Sequence, residues 1–257
     1  MLHGGPGAHH DYLLPQLLDL TDEFELVFYD QRGGGRSRVD DPAPITWRTH
    51  VEDAAQVATE LCGGSGTVVG YSWGALLAAL HAIEHRAGRA PAGPRAFALL
   101  DPAPMTRAFR NEFEAEFARR ARSDTIATLR AEAAASGLRE RDPAAYKQRM
   151  FELSVAPYFA RAEAATGLTP FRVTGRVQDQ VWESLGDFDC VTPLGTLEIP
   201  ALVVHGRQDP IPLASSQAAA AALRAPLVVL EDCGHVPYVE QREPLMNTLR
   251  PFLHSVA

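Results

Sequence analysis

Lysine is almost absent from this chain of 257 residues, since Lys147 is the single one. Arginine carries the rest of the positive charge. We attribute this bias to coding composition. The net charge is −8 at pH 7. A protein that binds nucleic acid or an anionic membrane through phosphate groups needs a basic face. The acidic balance therefore argues against both kinds of partner.

Cysteine is also scarce, with Cys62, Cys190 and Cys233 far apart in the chain. An odd count at wide spacing predicts neither a disulfide framework nor a zinc site, and it fits a reducing compartment. No apolar run approaches the roughly 18 residues that span a bilayer. The first residues lack the basic and apolar regions of a signal peptide. We therefore expect a cytoplasmic protein.

Short apolar runs alternate with helical stretches along the chain. This alternation is typical of a parallel sheet with crossover helices. The expected strands are residues 24–30, 66–71, 95–101, 201–205 and 226–231. Each run is almost continuously apolar, as in strands that are covered on both faces. The fold class is therefore α/β, with a mostly parallel sheet flanked by helices.

The pattern changes between residues 105 and 190, where no convincing strand appears. Residues 107–139 are rich in Ala, Glu and Arg at helical spacing, and residues 157–175 are broken by Pro and Gly. We expect a helical cap over residues 105–190. The core domain would then consist of residues 1–104 and 191–257, a size that one large domain with an insertion can reach.

Residues 70–74 (GYSWG) match the pattern G-x-S-x-G of a nucleophile elbow. The pattern alone is weak, since a glycine-rich turn can contain an incidental serine. Its context strengthens it, because a β-branched run precedes the turn and an apolar helix follows. In such an elbow the serine hydroxyl is exposed on a strained turn. The sequence therefore predicts Ser72 as a nucleophile.

A serine nucleophile needs a general base, and the base needs a carboxylate that orients it. Asp209 and His235 follow two successive late strands, so both fall at carboxyl ends of strands, where open α/β sheets place their sites. Their chain order after Ser72 is the order that the elbow predicts. Asp101, at the end of an earlier strand, is the alternative acid. We favour Asp209 because of its position one strand before His235.

Acyl transfer also requires N–H donors for the oxyanion that develops. The backbone N–H of Trp73, directly after Ser72, is the first expected donor. The run HGGPG at residues 3–7 is the expected source of the second, because glycine lets the main chain approach a reacting carbonyl. Gly5 is the preferred donor there, and Gly4 is the alternative.

Several of these motifs occur together in one known family. They are HGGPG at 3–7, FYDQRGGGRS at 28–37, GYSWGA at 70–75, GRQDPIP at 206–212 and GHVPYVE at 234–240. The combination resembles the proline iminopeptidases, the aminopeptidase branch of the α/β-hydrolases. Residues 10–14 (HDYLL) and 171–175 (FRVTG) are similar to those of tricorn-interacting aminopeptidases. The resemblance implies an α/β-hydrolase fold with a helical cap, no cofactor or metal, and a small-molecule or short-peptide substrate.

An aminopeptidase of this kind needs carboxylates that bind the free α-ammonium group of its substrate. Pro170 and Pro210 stand where the resemblance implies two of them. Glu163, Glu183 and Glu240 are the candidates that could replace them. The alternative function is a carboxylesterase or lactonase acting on a small neutral substrate. A second alternative is an inactive binding protein with a hydrolase fold. No pattern in the sequence indicates an oligomeric state.

The resemblance also implies strands before HGGPG, of which only Met1 and Leu2 remain. The last of them would lie between the strands at 24–30 and 66–71. Because neighbouring strands lie about 4.8 Å apart, its omission leaves a slot of about 9.6 Å. We expect either that the natural protein begins upstream of Met1 or that another segment fills this slot.

Overall fold

The computed structural model describes residues 1–39 and 44–257 of the chain. Within these residues the core is one sheet of four parallel strands in the order β1-β2-β3-β4. The strands are β1 (Thr67–Tyr71), β2 (Ala96–Leu100), β3 (Ala201–Gly206) and β4 (Leu227–Leu230). Four of the five expected strands are confirmed, each within one residue at either end. The parallel fold class is confirmed as well.

The α-helices alternate with these strands or follow them. They are α1 (Leu14–Leu17), α2 (Trp47–Leu61), α3 (Trp73–Arg86), α4 (Arg107–Ala121), α5 (Asp124–Ala135), α6 (Leu138–Arg141), α7 (Pro143–Val155), α8 (Gly175–Leu185), α9 (Val191–Leu194), α10 (Leu213–Leu223), α11 (Pro237–Glu240) and α12 (Arg242–Ser255). Short 3-10 turns cover Asp11–Leu13, Leu18–Asp22, Ala156–Tyr158 and Ala162–Gly167. No helix in the described part of the chain combines the length and the apolar character needed to cross a membrane.

Strand β2 shows how the sheet separates two hydrophobic clusters. Phe97 and Leu99 belong to one cluster, whereas Ala98 and Leu100 belong to the other. Side chains alternate between the two faces of a strand, so both faces of β2 are covered. This double burial explains the uninterrupted apolar runs in the sequence.

Helices α4 to α8 lie between β2 and β3, where the sequence predicts an inserted cap. The two ends of this insertion meet at its base. Thr106 and Asp189 form an antiparallel bridge, and the N–H of Cys190 donates to the carbonyl of Met105 at 2.9 Å. The Thr106 hydroxyl also accepts the N–H of Phe109, which caps the first turn of α4. The cap is thus tied to the sheet close to the carboxyl end of β2.

The expected strand at residues 24–30 is wrong, because these residues carry no strand in the structure. A strand requires a ladder of backbone hydrogen bonds with a neighbour. Only Met1 and Leu2 lie between this segment and β1: the amino group of Met1 donates to Val27 at 2.9 Å, and Leu2 forms a single bridge with Gly70. Two residues cannot supply a ladder, so the segment remains apolar but unpaired.

Candidate active site

Ser72 occupies the sharp turn between β1 and α3. Its backbone angles are φ 54° and ψ −119°, an unfavourable region for a residue with a Cβ. The flanking structure holds the turn in place. The N–H of Ser72 donates to the carbonyl of Leu100 at 2.9 Å, and the carbonyl of Ser72 accepts the N–H of Ala103 at 3.0 Å. The turn therefore depends on β2 as well as on its own sequence.

The two glycines of the GYSWG motif are required by close approach of backbone. A Cβ on Gly70 would lie 2.3 Å from the carbonyl oxygen of Gly74. A Cβ on Gly74 would lie 2.1 Å from the carbonyl oxygen of Leu2. Both distances are far below van der Waals contact, so any larger residue would force the turn apart. The two glycines of the motif are thus required because only glycine fits at these positions.

The structure brings Ser72, His235 and Asp209 into one chain of hydrogen bonds. Nε2 of His235 lies 2.9 Å from Oγ of Ser72, and Nδ1 lies 2.7 Å from Oδ2 of Asp209. The other oxygen of Asp209 accepts the N–H of Ile211 at 2.7 Å. With the proton on Nδ1, the imidazole donates to Asp209 and its Nε2 accepts the hydroxyl proton of Ser72. This geometry allows the hydroxyl proton to move to the imidazole.

Close backbone contacts place the loop of His235 against β3 and the cap. A Cβ on Gly206 would lie 1.9 Å from the carbonyl oxygen of Gly234, and a Cβ on Gly234 would lie 2.2 Å from that of Tyr158. The N–H of His235 donates to the same carbonyl of Tyr158 at 2.7 Å. The ring of Tyr158 stacks on His235 with centroids 5.1 Å apart. The imidazole is therefore fixed from the sheet side and from the cap side.

Asp101, the alternative acid, lies behind Asp209. It ends β2 with a positive φ of 39° and is fully buried. Its Oδ1 accepts the N–H of Gly206 at 2.7 Å. Burial, and then the neighbouring Asp209, raise the pKa of Asp101 well above its usual value, and its buried Oδ2 has no hydrogen-bond partner in the described part of the chain. Asp209 is thus the carboxyl that contacts the imidazole of His235, and Asp101 lies on the far side of Asp209.

Asp101, Asp209 and His205 offer potential metal-ligand atoms within 4.8 Å of one another. Both nitrogens of His205 already have partners. Nε2 lies 3.2 Å from the carbonyl of Ile211, and Nδ1 lies 2.9 Å from Oγ of Ser216. An imidazole with both nitrogens hydrogen-bonded has no lone pair left for a metal ion. The donor set therefore does not fit a metal ion.

The N–H groups expected to face the oxyanion lie beside Ser72. Trp73 is the first residue of α3, so its N–H has no acceptor within the helix. The N–H of Gly4 donates to the hydroxyl of Tyr12 at 2.7 Å and is therefore occupied. Gly5, with a φ of 67°, has an N–H without an acceptor in residues 1–39 and 44–257. Of the two glycines, the structure favours Gly5.

Ser72 and His235 open into a cavity of about 480 Å³ beneath the cap. Aromatic and aliphatic side chains supply most of its lining, among them Tyr158, Phe171 and Trp182. Such a cavity is of the size that binds small molecules. Two charged side chains, Arg110 of α4 and Asp179 of α8, also line it.

A model of the alpha/beta hydrolase family matches residues 1–247. The chain belongs to the alpha/beta hydrolase family. Curated relatives include a proline iminopeptidase of Lactobacillus crispatus, 24% identical over 98% of this chain and 88% of the relative. One of Thermoplasma volcanium is 40% identical over a shorter stretch, 34% of this chain and 30% of the relative.

Solved structures agree with this assignment of the fold. The crystal structure of VinJ matches with a TM-score of 0.68 and 25% identity, and the match covers 100% of this chain and 89% of VinJ. A proline iminopeptidase of Mycobacterium smegmatis matches with a TM-score of 0.66 and 24% identity over 99% of this chain and 88% of that one. The resemblance seen in the motifs is thus confirmed at the level of the hydrolase family.

The structure does not bring the three expected ammonium anchors of this hydrolase into the cavity. Glu163 and Glu183 are exposed and lie outside its lining. Glu240 is turned to the backbone instead: its carboxylate accepts the N–H groups of Ala160 and Gly234, both at 2.8 Å. Helical position alone does not reveal which face of a cap helix is turned to the site.

Sequence reasoning missed the two charged residues that line the cavity of this hydrolase. Asp179 lies on α8 one helical turn before Glu183, so the same helix that suggested Glu183 presents a different carboxylate to the site. Arg110 lies four residues after Thr106, at the start of the cap. Asp179 and Glu183 are four residues apart and share one face of the helix, so no pattern in the sequence separates them.

The pH dependence of the hydrolase should follow His235. Burial lowers the pKa of His235 from 6.5 toward about 4. Only the neutral imidazole accepts the proton of Ser72, so activity should be lost as the pH falls through that pKa. We expect the acid limb of kcat/KM on an activated ester to have its midpoint below 6.5. A midpoint above 6.5, with the fold intact by circular dichroism, would contradict this assignment.

Proposed function

We propose that this alpha/beta hydrolase is a serine hydrolase that cleaves an amide or ester bond of a small substrate through an acyl-enzyme. The observation that carries the proposal is the chain of hydrogen bonds from Ser72 through His235 to Asp209 at 2.9 and 2.7 Å. It opens into a cavity large enough for a small molecule. An inactive binding protein would have no need for this alignment.

The mechanism follows from the same contacts. Ser72 Oγ attacks the substrate carbonyl while Nε2 of His235 takes its proton, and the resulting imidazolium faces the carboxylate of Asp209. The N–H groups of Trp73 and Gly5 hold the oxyanion. His235 then gives its proton to the leaving group, and a water molecule activated by His235 releases the acyl group. The cap excludes folded proteins and favours small substrates.

The most specific form of the proposal is an aminopeptidase similar to the proline iminopeptidases. The curated relatives that match almost the whole chain support it. Asp179, which lines the cavity, supports it further, since a carboxylate there offers a partner for the free ammonium group of a peptide. We assign that role to Asp179 in place of the glutamates that lie outside the cavity.

A carboxylesterase or lactonase is the second candidate. Pro170 and Pro210 stand where the aminopeptidase resemblance implies carboxylates. The cavity also contains Arg110, a positive charge that would repel an ammonium group near it. These two observations favour a substrate without a free amine.

The amine specificity can be tested with proline p-nitroanilide and a short-chain p-nitrophenyl ester. If Asp179 anchors the amine, Asp179→Asn should lower kcat/KM on the anilide by about 10-fold, because a hydrogen bond between charged groups at an exposed site is lost. The ester should react unchanged. Acylation of the proline nitrogen should abolish turnover of the anilide by the unaltered protein.

Glu183→Gln is the matched control, since it removes a carboxylate from the same helix outside the cavity. It should leave both rates unchanged. Turnover of the ester without turnover of the anilide would overturn the aminopeptidase and leave the esterase. Turnover of neither substrate would overturn the hydrolase proposal itself.

A further inference from the structure

Arg110 holds an unusual position for a cation in a cavity lined mainly by apolar groups. It lies in the first turns of α4, and its guanidinium carbon is 3.8 Å from the ring centroid of Trp182 on α8. Trp182 in turn packs edge-on against Trp73, with ring centroids 5.4 Å apart. The guanidinium is therefore one aromatic ring away from the residue that follows Ser72.

The hydrogen-bonding capacity of Arg110 is only partly used within the protein. Nε donates to Oε1 of Glu114 at 2.7 Å. Buried Nη1 has no acceptor in the described part of the chain. A buried donor without a partner is unfavourable. Because Glu114 is half exposed and occupies the Nε edge, the Nη1–Nη2 edge remains for another acceptor.

The position of the side chain favours a ligand over a purely structural role. The side chain of Arg110 is only 18% exposed and lines the same cavity as Ser72. Burial lowers the pKa of Arg110 and Glu114 opposes this, yet a guanidinium stays charged in proteins. A fixed positive charge between largely apolar walls attracts an anion more strongly than it would in bulk water.

The shape of the free edge indicates the class of anion. A guanidinium edge matches the two oxygens of a carboxylate in a bidentate pair. The surrounding aromatic side chains of Phe113 and Trp182 suit the carbon skeleton of a small organic acid.

We propose that Arg110 binds a carboxylate group of the substrate. The substrate is then a small amide or ester that carries a negative charge, and with Asp179 in the same cavity a zwitterion such as a dipeptide with a free carboxyl terminus also fits. The proposal rests on the proposed hydrolase for turnover, but the carboxylate site itself is measurable by binding alone.

The kinetic test compares p-nitrophenyl hydrogen glutarate with p-nitrophenyl valerate, which has the same chain length and no carboxylate. The unaltered protein should prefer the glutarate ester in kcat/KM. Arg110→Gln should reduce this preference by about 10- to 100-fold, the range expected for a lost hydrogen bond to a charged group. Arg110→Lys should restore part of it, because the charge is kept without the planar edge.

A purely structural role of Arg110 would change both esters by the same factor and leave their ratio unaltered. Arg107→Gln is the matched control, because Arg107 belongs to the same helix, stacks on Phe188 and lies outside the cavity. It should leave the ratio unchanged. A second pair, prolyl-alanine and its carboxyl-terminal amide, shows whether the recognised carboxylate lies on the leaving group instead of the acyl group.

The binding test uses Ser72→Ala with glutarate and its neutral diamide as probes. Calorimetry should show glutarate binding that weakens at least about 10-fold when Arg110→Gln is added, and no such change for the diamide. If neither ester nor peptide reacts, the hydrolase proposal fails while this measurement still decides the carboxylate site. Equal affinity for glutarate with and without Arg110 would overturn the inference, as would a ratio that Arg110→Gln leaves unchanged in both the ester pair and the peptide pair.

Discussion

Replacement of Ser72 by alanine is expected to lower kcat on an activated ester by about 10⁶-fold. The hydroxyl that lies 2.9 Å from Nε2 of His235 is then absent, so no acyl-enzyme forms. The N–H groups of Trp73 and Gly5 remain and leave a residual activity above water. Steady-state kinetics with Ser72→Ala and the unaltered protein measure the ratio, and thermal unfolding verifies that both are folded.

Ser154→Ala is the matched control for this experiment. Ser154 lines the same cavity, but its hydroxyl donates to the carbonyl of Phe151 at 2.6 Å, whereas the ring nitrogens of His235 bond to Ser72 and Asp209. Its removal should leave kcat within a few-fold. A fluorophosphonate should add its mass to the unaltered protein and to Ser154→Ala, and not to Ser72→Ala. Labelling of Ser72→Ala would show that another residue is the nucleophile.

The second large effect is expected from Asp209→Asn, which should lower kcat by about 10⁴-fold. The carboxylate lies 2.7 Å from Nδ1 of His235 and selects the tautomer with its proton on that atom. An asparagine amide can donate to Nδ1 and thereby select the opposite tautomer, which places a proton on Nε2 and prevents it from accepting that of Ser72. Neither the fold nor substrate binding should change.

Asp101→Asn is the informative comparison, because Asp101 was the alternative acid from the sequence. Asparagine tolerates the positive φ of 39° at this position. Its amide oxygen can accept the N–H of Gly206, as Oδ1 of Asp101 does, and the amide is neutral, which is the state that the raised pKa of Asp101 favours. We expect a loss within about 10-fold, far below that of Asp209→Asn. A loss in Asp101→Asn as large as in Asp209→Asn would assign the orienting role to both carboxyls.

The segment 24–30 shows a limit of sequence reasoning about the fold. Its largely apolar pattern is similar to that of the four runs that do form strands. The pattern reports that a segment can be buried in a sheet, whereas a strand also needs a partner along its length. Here Met1 and Leu2 provide isolated bonds only. Partner availability is a property of the tertiary structure.

The cap shows a similar limit for the site. The sequence offers Glu163, Glu183 and Glu240 as candidate amine anchors, yet Asp179 and Arg110 are the charged cap residues that line the cavity. On an amphipathic cap helix several charged residues have similar spacing. Which of them faces Ser72 depends on how the helices rotate against the sheet and against one another.

The sequence by itself determined the parallel sheet, the elbow around Ser72 and the order in which Asp209 and His235 follow it. These features depend on neighbouring residues: on alternation along a strand and on the two glycines that allow one tight turn. Only the tertiary structure decided that Asp209 contacts His235 while Asp101 lies behind it, and that Arg110 lies on Trp182 beside the cavity. Those contacts join residues far apart in the chain, and their geometry is set by packing, which local sequence patterns do not specify.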